Sequence, residues 1–244
     1  QAFSASFQAV QWVVLAYLLA VTTLVVSAGR LGDLFGRRRL MLAGIAVFTS
    51  ASLVCAAAPS LSILIIARAG QGFGAAVMMA LTMALVGGAV PKERAGRAMG
   101  LLGTMSAVGT ALGPSLGGVL IGSFGWQSIF LINLPLGLIA VGMAWRFLPS
   151  DDAPNTQASF DVPGSLLLAA ALASYSLAMT LGRGHFGALN LALLGAAVLL
   201  GVVFLGVESK VRSPLVRLAL FGDRLVGSGF LTSSLATTVA MTTL

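Results

Sequence analysis

The sequence predicts an all-α polytopic membrane protein. Three observations carry that expectation. Of the 244 residues, 58% are hydrophobic and only 9% are charged. The apolar residues gather into runs of about 20 or more, the length a helix needs to cross a bilayer. The Lys and Arg residues fall almost entirely between these runs. A soluble domain averages about 25% charged residues, and most of a folded soluble surface has to face water, so lipid is the better solvent for this chain. The formal net charge of +7 does not point to nucleic acid. The basic residues form short clusters between apolar runs, with no extended basic surface carrying aromatics; basic loops at a membrane face account for them. The single cysteine, Cys55, lies inside an apolar run. It has no intrachain disulfide partner, and one thiol makes no metal site. No metal, cofactor or nucleic-acid partner is expected.

Eight apolar runs follow in order: 10–28, 40–58, 61–90, 98–122, 129–147, 162–181, 188–207 and 226–244. The third is long enough to tilt or to run past the lipid. Of the seven connecting loops, the odd ones or their edges hold Arg30, Arg37, Arg38, Arg39, Lys92, Arg94, Arg97, Arg146, Lys210, Arg212, Arg217 and Arg224. The even ones hold only Arg183, and Arg68 lies inside a run. Cytoplasmic loops collect Lys and Arg, so the odd loops are cytoplasmic. This places residue 1 outside and predicts a further span upstream of Gln1. Gln1 follows no charged signal start, and Leu244 falls within an apolar run, so both ends are expected to be cuts in a longer chain. All seven acids sit in the odd loops or at their edges. The longest loop, 148–161, reads LPSDDAPNTQASFD and marks a polar linker after five spans. Gly, Ala, Ser and Thr are frequent in the runs, which suits closely packed helices in lipid.

Three motifs stand out. The first is Gly29-Arg30-Leu31-Gly32-Asp33-Leu34-Phe35-Gly36-Arg37-Arg38-Arg39, read as a short cytoplasmic loop. Its glycines permit a tight reversal, and Asp33 is the one acid among four arginines. It can hold a charged latch at the membrane face; a plain basic loop with an incidental acid is the alternative. The second joins Leu64, Arg68, Gln71, Gly72, Gly74, Ala75 and Ala76. A cation inside a membrane helix costs several kcal/mol unless it faces a cavity or a partner; the alternative is snorkelling to the interface. Gly70 to Ala75 mimics a dinucleotide fingerprint, but no strand-turn-helix context surrounds it. The third joins Gly109, Gly113, Pro114, Gly117 and Gly118. The Gly-x-x-x-Gly spacing makes a smooth helix face, and Pro114 removes a backbone hydrogen bond. A helix both smooth and kinked is a plausible pivot.

Together, and in this order, these motifs resemble the cytoplasmic loop motif, the arginine motif and the antiporter motif of the major facilitator superfamily. They would fall in its second, fourth and fifth helices if a first helix precedes Gln1. Trp126 to Pro135 resembles the start of the sixth helix in the drug-exporting branch. Phe160-Asp161-Val162-Pro163-Gly164 resembles the linker before the two extra central helices of the fourteen-span drug:proton antiporters, and Glu208, Pro214, Leu215 and Phe221 fit the loop after them. The resemblance covers nearly the whole chain. It departs at Leu34, where the family usually has a basic residue, at Gly32, where it has Ala, and at Gln127, where it often has Arg.

The resemblance implies a major facilitator fold. Residues 1–147 would form the N-terminal bundle lacking its first helix, 148–161 a cytoplasmic linker, and 162–207 the two central helices. Residues 208–225 would form a second cytoplasmic loop and 226–244 the start of the C-terminal bundle. It implies a secondary transporter of the inner (plasma) membrane, not an enzyme, that exports drugs or toxic small molecules in exchange for protons. Its partners would be membrane lipid, protons and an amphipathic or cationic substrate. Gly29, Asp33, Gly36, Arg37 and Arg38 would form the cytoplasmic gate. Arg68, Gln71 and Gly72 would lie on the proton and substrate pathway, and Gly109, Gly113, Pro114, Gly117 and Gly118 on the proton-tight antiporter face. Gln11, Trp12, Tyr17, Met78, Met79 and Met83 are candidates to line the substrate path, since Met surfaces suit promiscuous apolar ligands; packing is the plainer account of them. His185 reads as an ordinary external loop residue. The alternatives are a dedicated exporter of one metabolite, such as an antibiotic, siderophore or amino acid, and a non-transporting membrane sensor of the same fold.

Overall fold

The computed structural model describes residues 3, 5–151, 161–181, 187–211, 227–229, 231–233 and 235. Among them there are helices and no strands: α1 (Phe7–Phe35), α2 (Arg37–Ala56), α3 (Leu61–Ala89), α4 (Lys92–Phe124), α5 (Ser128–Leu131), α6 (Asn133–Phe147), α7 (Val162–Thr180) and α8 (Ala188–Glu208). Seven stretches are long and apolar enough to cross a membrane, α5 and α6 counting as one. They match the first seven runs expected from the sequence. The eighth run, 226–244, lies mostly outside the described residues, as do 152–160, Arg183, His185, Arg212, Pro214, Leu215, Arg217, Phe221 and Arg224.

Helix starts follow local chemistry. The Ser6 hydroxyl accepts from the Ala9 N–H at 3.2 Å and that of Ser60 from the Ile63 N–H at 3.4 Å, so each caps an orphan donor of a first turn. Asp161 caps α7 by accepting from the Gly164 N–H at 2.9 Å, with Pro163 in the first turn. Asn190 of α8 donates to the carbonyls of Ala178 and Leu181, closing the outer end of the α7–α8 hairpin.

Two features correct the sequence reading. The stretch from Gly29 to Arg39 is not a loop: α1 continues to Phe35, α2 begins at Arg37, and Gly36 alone, at φ +94°, makes the reversal. Hydropathy reports where lipid ends, whereas a helix runs on into water as long as its backbone bonds continue. For the same reason α4 starts at Lys92, so Arg94 and Arg97 ride on its first turns. The fifth span is also interrupted. Pro135 has no N–H to offer the Leu131 carbonyl, and the helical ladder breaks at Ile132, whose φ −61° and ψ −25° keep the direction of the chain.

Helix α3 is the centre. It packs along α1 and α2; α2 also meets α5 and α6, and α7 meets α8 and α1. Small residues set these distances. A Cβ on Gly72 would fall 2.6 Å from the Tyr17 carbonyl oxygen and 2.8 Å from the Ala20 Cβ. One on Gly74 would fall 2.7 Å from the Gly44 carbonyl oxygen and from the Phe48 nitrogen. So one glycine of α3 admits α1 and another admits α2. The core has one cluster of Cys55, Ala58, Leu64, Ala67 and Phe130 and a second of Ala28, Val77 and Leu81.

This packing generates a prediction. Gly72→Ala forces α1 and α3 apart and is expected to cost about 1–3 kcal/mol. Gly70→Ala, two residues away, meets only the Ala51 Cβ at 3.8 Å and is expected to be tolerated. Thermal unfolding of the full-length protein in detergent checks both.

Candidate functional site

Between the two apolar clusters lies a polar chain anchored on α3. The cap at Ser60 starts the helix, and at 1.5 Å per residue Arg68 lies about 10 Å along it from Leu61. Its side chain is half-buried and turns toward α1. Nε donates to the Val13 carbonyl at 3.0 Å, and a terminal nitrogen donates to Gln71 Oε1 at 2.6 Å. The guanidinium carbon stands 4.3 Å from the Tyr17 ring centroid and 5.9 Å from that of Phe130, a cation–π arrangement that replaces part of the lost hydration. Gln71 is fully buried. Its amide nitrogen donates to Ser52 Oγ at 2.6 Å; Asn133 Nδ2 donates to the same oxygen at 3.3 Å. Ser52 in turn donates to the Phe48 carbonyl at 2.8 Å. The chain therefore joins α3, α2 and α6, while Arg68 adds α1.

Every link has a donor and an acceptor, which is what a buried polar network requires. The guanidinium retains further N–H groups that meet no acceptor among the described residues. Arg68 thus presents a fixed positive charge with spare donors, suited to an acceptor-bearing solute or a titrating partner.

Of the residues predicted for the pathway, Arg68 and Gln71 come together, and Tyr17 joins them. Gly72 is near by, but its visible contribution is the close approach of α1. Gln11 is exposed and Trp12 partly buried on α1. Met79 and Met83 are exposed on α3 and share a face four residues apart, while Met78 is partly buried. Neither Ser52 nor Asn133 was picked out by the sequence. The Ser is one of many small residues in apolar runs, and Asn133, a polar residue within a span, was the one available signal.

A second cluster forms at the junction of α1 and α2. Asp33 accepts from Arg37 at 2.9 and 3.2 Å, and Arg37 also donates to the Ala84 carbonyl of α3 at 3.2 Å. The pair is exposed, 42% and 44%, so it contributes about 0–1 kcal/mol. Gly32 is buried against Leu81, and Gly29 faces Ala80. Asp151, read from sequence only as part of a linker, accepts from the backbone N–H groups of Arg38 and Arg39 at 2.7 and 3.0 Å.

The third set is not gathered with the others. Gly109, Gly113, Gly117 and Gly118 lie on α4 with nothing within 4 Å of where a Cβ would stand. Pro114 lies inside the same helix, leaving the Thr110 carbonyl without its helical donor. Among the described residues no three His, Cys, Asp or Glu side chains gather as a metal site.

Comparison with known proteins adds the following. The family model described as Major Facilitator Superfamily matches residues 1–244. The riboflavin transporter RibZ of Clostridioides difficile is 40% identical over 177 residues, 72% of this chain and 39% of that protein. The multidrug resistance protein Stp of Mycobacterium tuberculosis is 36% identical over 228 residues, 91% of this chain and 42% of that protein. The methylenomycin A resistance protein of Bacillus subtilis is 37% identical over 221 residues, 89% of this chain and 47% of that protein. The chain thus spans less than half the length of these relatives.

The network is testable by itself. Gln71→Leu removes the acceptor for Arg68 and the donor to Ser52, leaving buried polar groups unmatched, and is expected to destabilise by about 2–4 kcal/mol. Ser52→Ala is expected to cost less, about 1–2 kcal/mol. Denaturation in detergent, with both variants against wild type, ranks them.

Proposed function

The chain belongs to the major facilitator superfamily, and from that premise we propose that it is the N-terminal part of an exporter that drives drugs or toxic small molecules across the inner (plasma) membrane in exchange for protons. The observation that carries this is Arg68, a membrane-embedded guanidinium held by Val13, Gln71 and the Tyr17 ring with donors to spare. One relative named for multidrug resistance and another named a multidrug transporter support the drug-export class. The α7–α8 hairpin is proposed to be the pair of central helices of the fourteen-span branch.

In this reading substrate binds near mid-membrane between two bundles, which rock to alternate access. Arg68 holds acceptor groups of the substrate, or the anionic form of a titrating group, while Gln71 and Ser52 keep it from turning away. Asp33 and the Arg37–Ala84 contact help to close the cytoplasmic side. The helix bearing Gly113 and Pro114 faces the second bundle and bends as the bundles rock. Inward proton flow supplies about 2.3 kcal/mol per charge per 100 mV. Among the described residues the acids stand at helix ends, as do Asp33, Glu93, Asp161 and Glu208, or beyond them, as does Asp151. None of these described acids meets Arg68, so the coupling carboxylate is proposed to lie outside the described residues.

Two relatives carry names that refer to a single compound, riboflavin and methylenomycin A, and these favour a second reading, a transporter dedicated to one product. Broad competition among cationic dyes supports the first reading; transport of one compound alone supports the second.

The decisive experiment is susceptibility of an exporter-deficient bacterium carrying the full-length protein. Wild type is expected to raise drug tolerance several-fold. Arg68→Ala and an uncoupler should each abolish the gain, and Arg68→Lys should restore little, since an ammonium lacks the planar fork. Tolerance unchanged by wild type across a broad panel, with the protein present in the membrane, removes the drug-export reading.

A further inference from the structure

The second helix begins under two electrostatic penalties. Its first-turn N–H groups have no acceptor within the helix, and its cap, Gly36, has no side chain to supply one. Its first three residues are Arg37, Arg38 and Arg39, cations at the end of the helix dipole that is already positive. Asp151 answers both. One carboxylate oxygen accepts from the Arg38 N–H at 2.7 Å and the other from the Arg39 N–H at 3.0 Å, although the residues are more than a hundred positions apart in the chain. Such charge-assisted bonds are about twice as strong as neutral ones. Gly36 serves this contact as well as the turn: a Cβ there would overlap the Asp151 carboxylate.

The arginines then divide. Arg37 leans to Asp33 on α1 and to the Ala84 carbonyl on α3. Arg38 leans the other way, donating to the Trp145 carbonyl near the end of α6 at 2.5 Å and lying 3.5 Å from the Ser150 hydroxyl. The negative end of α6 thus meets a cation, and the positive end of α2 meets a carboxylate. A shift of α2 against the end of α6 would break the Asp151 and Arg38 bonds together.

We propose that Asp151 is a positioning residue of the cytoplasmic gate: seated on the N-terminus of α2, it makes the α1–α2 junction and the C-terminal end of α6 move as one piece. This rests on the transporter reading above, and the test separates the two.

Hydrogen–deuterium exchange is measured on the full-length protein in nanodiscs, alongside export of a cationic dye into energised vesicles. In Asp151→Ala, exchange at the Arg38 and Arg39 amides is expected to rise by roughly tenfold or more. The maximal export rate should fall several-fold with the apparent KM unchanged, because the residue positions a gate and touches no substrate. Asp151→Asn keeps one acceptor oxygen. It should speed only one of the two amides and recover much of the rate; it also carries the test if the alanine variant does not fold. Unchanged exchange at both amides overturns the docking. Faster exchange with an unchanged maximal rate, or a raised KM at unchanged rate, overturns the positioning role. If the wild type exports no dye, the transporter reading falls and the gating role falls with it, while the exchange data still decide whether Asp151 holds α2.

Discussion

Arg68 sits about 10 Å along α3, where a guanidinium without partners costs several kcal/mol. The neighbouring helices are arranged around that cost. A backbone carbonyl of α1 turns toward the charge, an aromatic ring covers it, and Gln71 Oε1 accepts a hydrogen bond from it. Gln71 is itself buried and needs a partner, which Ser52 on α2 provides; Asn133 on α6 closes the chain. One cation thus obliges three other helices to place polar groups at one depth. Removing the charge would leave these groups to satisfy one another in a space shaped for something larger.

Apolar packing at both ends of the network makes it rigid. The cluster around Cys55 and Phe130 covers one side, and that around Val77 and Leu81 the other. In lipid there is little hydrophobic force to draw helices together, so close van der Waals contact has to do it. Gly72 and Gly74 allow backbone-to-backbone approach on two sides of α3. Gly72, which lets α1 come near, also brings the Val13 carbonyl within reach of Arg68, so packing and polar satisfaction depend on one another. By contrast α4, with its glycines facing open space, is held to the bundle mainly through its neighbours in sequence, α3 and α5.

The α1–α2 junction shows how two carboxylates of similar appearance differ in weight. Asp33 pairs with Arg37 one turn away where both side chains are partly exposed, and screening leaves little net energy. Asp151 bonds to two backbone N–H groups at a helix start, where the dipole and the orphan donors both favour an anion. The motif draws the eye to Asp33, but the longer reach belongs to Asp151.

Composition and hydropathy by themselves determined the fold class and the first seven spans. Transfer to lipid is a local property, summed residue by residue, and a linear pattern carries it. The pattern also marked Arg68 and Gln71, because polar groups in an apolar run have to be accounted for. It placed Asp33 and Gly32 in a loop, since it reads the edge of the lipid and not the end of the helix. Only the tertiary structure decided that α1 runs to Phe35 and that Gly36 alone makes the turn. It also decided that Ser52 and Asn133 complete the arginine network and that Asp151 caps α2. Each of these depends on a distance between residues far apart in the chain. A hydrogen bond falls away within an ångström of its optimum, and no local pattern holds that distance.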